Sequence, residues 1–161
     1  DHHFVIGGAP GQDPAYYHDF RQNATESFPG QIQFLHNETY TLLHFAKAAL
    51  VTSGTATLET ALFEVPQVVC YKGSALSYQI AKRIIQVKYI SLVNLILDRP
   101  LVRELIQDDY TSANLETALQ EILSNEKRKE LQQGYSELRQ LLGNAGASQR
   151  AARLMTGYLK G

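Results

Sequence analysis

The residues with the clearest chemical potential form a short polar turn, Ser53-Gly54-Thr55, followed closely by an acidic residue, Glu59. The turn joins a strand-like run to a helix-like run. The first N–H groups of a helix have no intrahelical partner and the helix dipole is positive there, so such a turn attracts phosphate. Because a helix rises about 1.5 Å per residue, Glu59 would stand roughly 6 Å from that phosphate. The spacing therefore predicts that backbone amides hold a diphosphate while the Glu59 carboxylate accepts hydrogen bonds from a ribose.

Short strand-like and helix-like runs alternate over the first hundred residues and predict an α/β fold. The predicted strands span residues 3–7, 32–35, 49–52, 67–71 and 89–92, and the predicted helices span residues 14–23, 39–46, 55–63 and 77–85. Such alternation is typical of a Rossmann-like parallel sheet with flanking helices and right-handed crossovers. After Pro100 four consecutive helices are predicted, at residues 101–106, 112–123, 126–142 and 147–159. The sequence thus predicts one Rossmann-like domain over residues 1–161, with a helical carboxyl-terminal part from about residue 101.

Ligands of open α/β sheets bind beyond the carboxyl ends of the strands. This rule places Ser53, Lys72 and Asn94 at the ligand edge, because each follows or ends a predicted strand. Asn94 interrupts an apolar run and needs a polar partner, which could be a ligand or the backbone. Lys72 could neutralise a phosphate or be an ordinary surface lysine. Ser53 and Thr55 could equally be plain helix caps, and Glu59 could be a solvated helix residue.

The bulk composition excludes several classes of function. The 161 residues carry 15 basic and 16 acidic side chains, so no basic field points to a nucleic-acid partner. The single cysteine, Cys70, lies in a run typical of a buried strand and is interpreted as an inert core thiol. The histidines lack metal-ligand spacing and no G-x-G-x-x-G occurs, so neither a metal nor a dinucleotide cofactor is expected. No apolar run approaches the roughly 20 residues that cross a bilayer.

Five segments, in this order, resemble a known family. They are residues 52–59, 66–71, 76–83, 89–96 and 102–107. Together they resemble the carboxyl-terminal half of lipid-A-disaccharide synthase, a GT-B glycosyltransferase of family 19. The resemblance covers about residues 4–123 and, more loosely, the last two predicted helices. The turn-and-glutamate segment occurs in many GT-B enzymes, whereas the ordered set of segments is far more specific.

The resemblance implies a role in binding a sugar-nucleotide donor. Family members transfer 2,3-diacylglucosamine from its UDP donor to 2,3-diacylglucosamine 1-phosphate, which gives the β-1,6-linked lipid A disaccharide and UDP. The family pattern would put Glu59 on the ribose, and it would put Asn94 in the donor cleft. The pattern would also place at the diphosphate the turn residues Ser53, Gly54 and Thr55. It further implies inverting transfer without a metal or cofactor, by a peripheral enzyme at the cytoplasmic face of the bacterial inner membrane.

The resemblance also implies what this sequence does not contain. In the family, a first strand with a glycine-serine-arginine loop precedes the strand at Phe4, and an amino-terminal acceptor domain carries the candidate catalytic base. Because the sequence also lacks a starting methionine, we expect it to be a piece of a longer protein that cannot catalyse transfer alone. Its catalytic residues stay unassigned. The expected partners are a UDP-sugar donor and a lipid acceptor at the membrane surface.

The last predicted helix carries an apolar stripe that includes Leu154, Met155 and Tyr158. An uncovered apolar stripe is unfavourable in water, so the sequence predicts a homodimer or a domain-swapped oligomer. Two other functions stay open from the residues. One is a different GT-B enzyme that uses a UDP-sugar, either an epimerase or the transferase that makes the peptidoglycan lipid precursor. The other is a Rossmann-like binding module without catalysis.

Overall fold

The computed structural model of the chain describes residues 2–8, 11–73, 88–143 and 146–158. The helix predicted at residues 77–85 and the last predicted residue of the final helix lie outside these ranges. The described strands are β1 (Phe4–Gly8), β2 (Ile32–His36), β3 (Ala49–Thr52), β4 (Gln67–Tyr71) and β5 (Arg103–Ile106). The described helices are α1 (His18–Ser27), α2 (Thr39–Phe45), α3 (Thr55–Leu62), α4 (Leu92–Leu97), α5 (Ser112–Leu123), α6 (Asn125–Leu142) and α7 (Ala147–Tyr158). Short 3-10 turns occupy Pro14–Tyr17 and Gln107–Asp109.

The strands form two hydrogen-bonded sheets with flanking helices, which confirms the predicted α/β class. In the first sheet β1 pairs with β2 in parallel, from Phe4 opposite Ile32 to Gly8 opposite His36. In the second sheet the order is β3-β4-β5, and β4 pairs with β5 in parallel. The contacts between residues divide the chain into two compact units, of which the first ends at Ala49 and the second begins at Leu50.

The core of the second unit is built on β4, which has the β-branched composition of a strand covered on both faces. Val68 and Val69 in this strand are fully buried. Helix α6 presents Leu131, Tyr135 and Leu138 to the interior at helical spacing, and all three are buried. Burial of such side chains contributes about 25 cal/mol per Å² of apolar surface removed from water. The sheet that positions the candidate site is therefore anchored in a packed interior.

The helix predicted at residues 14–23 is a 3-10 turn, Pro14–Tyr17, followed by α1, His18–Ser27. Two further short elements differ from the prediction in type. The sequence predicts a strand at residues 89–92, but Leu92 is the first residue of helix α4. Ser91 caps this helix, because its Oγ accepts a hydrogen bond from the Asn94 N–H at 3.2 Å. Residues 101–106 were expected to form a helix, but Arg103–Ile106 is the strand β5. Short apolar runs do not distinguish a strand from a helix by periodicity, and pairing with β4 decides the conformation here.

The carboxyl-terminal helices follow their predicted limits closely. Thr111 caps α5 by accepting a hydrogen bond from the Asn114 N–H at 3.2 Å. Gly143, with φ of 72°, ends α6 in the left-handed region that glycine adopts without strain. Helix α7 has no buried residue. Among the described residues, no helix is both long enough and apolar enough to span a membrane.

Candidate functional site

The predicted phosphate-binding turn lies where the sequence places it, between β3 and α3. Gly54 occupies the N-cap position with φ of 144° and ψ of −161°, a conformation that L side chains rarely adopt. It contributes no side chain to cap the helix, so the first-turn amides lack the usual side-chain acceptor. Thr57 in the first turn donates its hydroxyl to the Gly54 carbonyl at 2.8 Å. The turn therefore offers an uncapped helix N-terminus beyond the end of β3.

Glu59 and Thr55 lie four residues apart on α3 and so share one face of the helix. Thr55 is exposed and Glu59 is half-buried. Its carboxylate makes no hydrogen bond or ion pair with any other residue that the structure describes. Glu59 is thus on the same side of α3 as the start of the helix, with its acceptor oxygens unused within the described chain. Contact with a ribose stays a prediction.

Ser53 uses its hydroxyl for a contact within the protein. It is half-buried, and its Oγ donates a hydrogen bond to the Ile90 carbonyl at 2.9 Å. A serine hydroxyl has a single donor hydrogen. The hydroxyl therefore holds the turn against the segment before α4.

Lys72 follows β4 at the same edge of the sheet as the turn after β3, because neighbouring strands of this sheet are parallel. Its side chain is exposed. The next residue, Gly73, is fixed to the end of β5, because Gln107 accepts from its N–H at 2.8 Å and donates to its carbonyl at 3.2 Å. The lysine thus extends from an anchored loop.

Asn94 is 1% exposed, and its side-chain amide is occupied by protein partners. Its Nδ2 donates to the Val102 carbonyl at 2.8 Å and to Glu104 Oε1 at 2.9 Å. Its Oδ1 accepts from the Val102 N–H at 2.9 Å. The buried amide therefore fastens α4 to the start of β5, which is the backbone-binding alternative that the sequence left open. Contact between Asn94 and a sugar-nucleotide donor stays a prediction.

Glu104 is a residue that the sequence analysis missed. Its carboxylate accepts hydrogen bonds from the Ile90 N–H and the Ser91 N–H, each at 3.0 Å, as well as from Asn94. The prediction of a helix over residues 101–106 concealed it, since a glutamate on a short helix is normally solvated. The signal that could have found it is the pair of polar residues, Asn94 and Glu104, that interrupts two neighbouring apolar runs.

Gln67 and Tyr135 form a buried hydrogen-bonded cluster next to α3. Gln67, fully buried at the start of β4, donates through Nε2 to the Thr57 carbonyl at 2.9 Å and to the Tyr135 hydroxyl at 3.4 Å. The Tyr135 hydroxyl donates to the Val65 carbonyl at 3.2 Å. Burial raises the pKa of Tyr135 to about 12, while its hydrogen bonds with Gln67 act in the opposite direction. This group connects α6 with the first turn of α3.

Three further features of the chain bear on the site: the thiol of Cys70, a cavity beside β5, and the grouping of residue types that bind metals. Cys70 is buried in β4 as predicted, and burial raises the pKa of its thiol, with a hydrogen bond to Tyr110 lowering it in part. A cavity of about 390 Å³ next to the start of β5 includes Asn94, Glu104 and the ion pair of Arg103 with Glu121 at 3.2 Å. Within the described ranges, no three histidine, cysteine or acidic side chains are grouped as metal ligands would be.

Comparison with known proteins points to one family. A family profile described as lipid-A-disaccharide synthetase matches residues 12–156. The lipid-A-disaccharide synthase of Acidobacterium capsulatum is 45% identical over 107 residues, which cover 66% of this chain and 27% of the relative. The enzymes of the same name from Syntrophus aciditrophicus and Synechocystis sp. are 42% identical over 136 residues and 37% identical over 127 residues. These alignments cover 82% and 77% of this chain but 35% and 32% of the relatives, so the chain spans about a third of their length.

Proposed function

This chain belongs to the lipid-A-disaccharide synthase family, and on that basis we propose that it forms part of the site that binds the UDP-sugar donor. In this proposal the backbone N–H groups of Ser53, Gly54 and Thr55 hold the diphosphate. Glu59 accepts hydrogen bonds from the ribose hydroxyls, and Lys72 supplies positive charge beside the phosphates. The observation that carries the proposal is the uncapped N-terminus of α3, where Thr55 begins the helix and Glu59 lies one turn further along the same face.

The reaction proposed for the whole enzyme is transfer of 2,3-diacylglucosamine from UDP-2,3-diacylglucosamine to 2,3-diacylglucosamine 1-phosphate. Its products are the β-1,6-linked lipid A disaccharide and UDP. Helix N-terminal amides suit the diphosphate because they present donors and a positive dipole end without a metal. The same amides would stabilise the negative charge that develops on UDP as the leaving group. We further propose that the enzyme acts as a peripheral protein at the cytoplasmic face of the bacterial inner membrane, where its lipid acceptor lies.

Titration calorimetry with UDP and ADP tests the donor site. The unaltered chain should bind UDP in preference to ADP. Glu59→Ala should weaken UDP binding about 10-fold or more, because hydrogen bonds to a charged group contribute about 1.5–3 kcal/mol each. Glu116→Ala is the matched control, since Glu116 is an exposed glutamate on another helix, α5. An identical isotherm for Glu59→Ala and the unaltered chain would remove Glu59 from the site. Absence of UDP binding by the unaltered chain would refute the donor-site proposal itself.

A further inference from the structure

The peptide unit between Ile90 and Ser91 is held from both sides. Its N–H, which is that of Ser91, donates to Glu104 Oε1 at 3.0 Å, and its carbonyl, which is that of Ile90, accepts from Ser53 Oγ at 2.9 Å. Ser53 begins the turn after β3 and Glu104 lies within β5, so a single peptide unit connects this turn with the far outer strand of the β3-β4-β5 sheet. Both hydrogen bonds therefore act on one peptide unit.

From this bridge we propose that Glu104 is a positioning residue of the donor site, acting through Ile90 on Ser53 and on the turn that precedes α3. The inference rests on the proposed function. It gives Ser53 two separate roles, in which the hydroxyl braces the turn and the backbone N–H faces the diphosphate. Because the hydroxyl has only one hydrogen, it cannot donate to Ile90 and to a phosphate at the same time.

The chemistry of the bridge requires a carboxylate at position 104. Three N–H groups converge on its two oxygens, those of Ile90, Ser91 and the Asn94 side chain. Hydrogen bonds from N–H groups to an ionised carboxylate are short and strong. An amide of the same shape has one oxygen and one NH₂ group, so either orientation of glutamine would set N–H against N–H. Glu104→Gln should therefore release at least one end of the Ile90–Ser91 backbone.

The test compares UDP affinity for four chains: unaltered, Ser53→Ala, Glu104→Gln and the double variant. Each single variant should weaken UDP binding about 10-fold. The double variant should bind UDP about as tightly as whichever single variant has the lower affinity. This non-additivity is expected because both substitutions release the same peptide unit. Ser53→Thr, which keeps the hydroxyl, should restore affinity. Additive losses in the double variant would show that Ser53 and Glu104 act independently and would overturn the proposal.

A matched control comes from the same strand. Leu105 is the next residue of β5, and its side chain points to the opposite face of the sheet. Leu105→Ala should destabilise the fold yet leave UDP affinity within about 2-fold at temperatures well below unfolding. An equal loss of affinity in Leu105→Ala would show that general loosening of β5 explains the effect, and would overturn the positioning role.

Amide hydrogen exchange supplies a readout that needs no ligand. Exchange at Ile90 and Ser91 should become faster in Glu104→Gln, while exchange in α6 stays unchanged. If the unaltered chain binds UDP but these amides and the affinity are the same in Glu104→Gln, the positioning role alone fails. If the unaltered chain does not bind UDP, the donor site and the positioning role fail together.

Discussion

The two units of the chain bury their apolar side chains to very different extents. In the described part of the first unit, Leu43 is the one hydrophobic side chain that is buried, whereas Phe4, Val5, Phe20 and Phe45 are exposed by 41–78%. In the second unit a whole sheet and two long helices share a continuous set of buried residues. Both units contain parallel strands of similar length, so strand formation alone does not explain the difference.

The difference shows that the sequence pattern of a strand and the burial of that strand are separate properties. Strand β1 has the composition of a buried strand, yet helices cover little of it within its own unit. Segments with few buried apolar contacts open at lower free energy than a packed core. We therefore expect the second unit to hold most of the folding free energy. The proposed donor residues Ser53, Glu59 and Lys72 all lie in this second unit.

The largest expected effect is the loss of a core leucine from the second unit. Leu105 in β5 is 2% exposed, and Leu35 in β2 is 37% exposed. Leu105→Ala should lower the free energy of unfolding by about 2–5 kcal/mol, because it removes buried methyl groups and leaves a cavity. Leu35→Ala should lower it by less than about 1 kcal/mol.

Urea unfolding followed by circular dichroism measures both leucine variants under one set of conditions. Equal losses of unfolding free energy for Leu105→Ala and Leu35→Ala would contradict the expected difference between the units, since the first unit would then contribute as much packing as the second.

A smaller effect is expected at Tyr135. Tyr135→Phe should lower the free energy of unfolding by about 1–2 kcal/mol, because the buried Val65 carbonyl and Gln67 amide each lose a hydrogen-bond partner. The variant should also respond differently to pH. The pKa of Tyr135 is raised in the folded chain to about 12, so the unfolded chain releases this proton first and stability falls as pH rises from about 10 to about 12.

Chemical unfolding at several pH values checks the tyrosine prediction. Tyr135→Phe should lose less stability than the unaltered chain between about pH 10 and pH 12. Tyr16→Phe is the control, because Tyr16 lies in the first unit and is 72% exposed. The same alkaline loss of stability in all three chains would show that Tyr135 is not a source of this pH dependence.

The smallest effect is expected at two residues with left-handed backbone, one in each unit. Glu64 has φ of 61° and Asn37 has φ of 59°. Glu64→Gly should raise the free energy of unfolding by about 0.5–1 kcal/mol, because a side chain with Cβ is strained there. Its exposed contact with Arg139 contributes little, and Arg139 keeps its bond to the Leu62 carbonyl at 2.7 Å.

Asn37→Gly should leave the stability nearly unchanged, because asparagine adopts this conformation readily. Thermal unfolding measures the stability of each glycine variant against that of the unaltered chain. A loss of stability in Glu64→Gly would mean that the contact with Arg139 outweighs the strain.

The sequence predicts much of the fold, and its failures have physical causes. Strands β3 and β4 and helix α5 have the predicted limits, because each combines a clear residue pattern with a strong boundary signal such as Pro66 or Thr111. The two errors fall on short runs with weak local preference. Residues 103–106 contain good helix formers, yet they pair with β4 because strand pairing outweighs propensity.

Some features of the candidate site could likewise be predicted from the sequence, and others could not. The turn at Gly54 and the placing of Glu59 on α3 were predicted correctly, because strand-turn-helix geometry is encoded in neighbouring residues. The partners of Ser53, Asn94 and Glu104 were not predicted. Those hydrogen bonds join residues that are 8–37 positions apart in the sequence, so no local pattern predicts them.

By itself, the sequence determined the α/β class, the glycine turn and the helix that carries Glu59, since backbone preferences act over a few residues. The tertiary structure alone decided that Ser53 braces Ile90, that Asn94 fastens α4 to β5, and that Glu104 gathers three N–H groups. A buried polar group must find a partner, and folding determines which one is within reach.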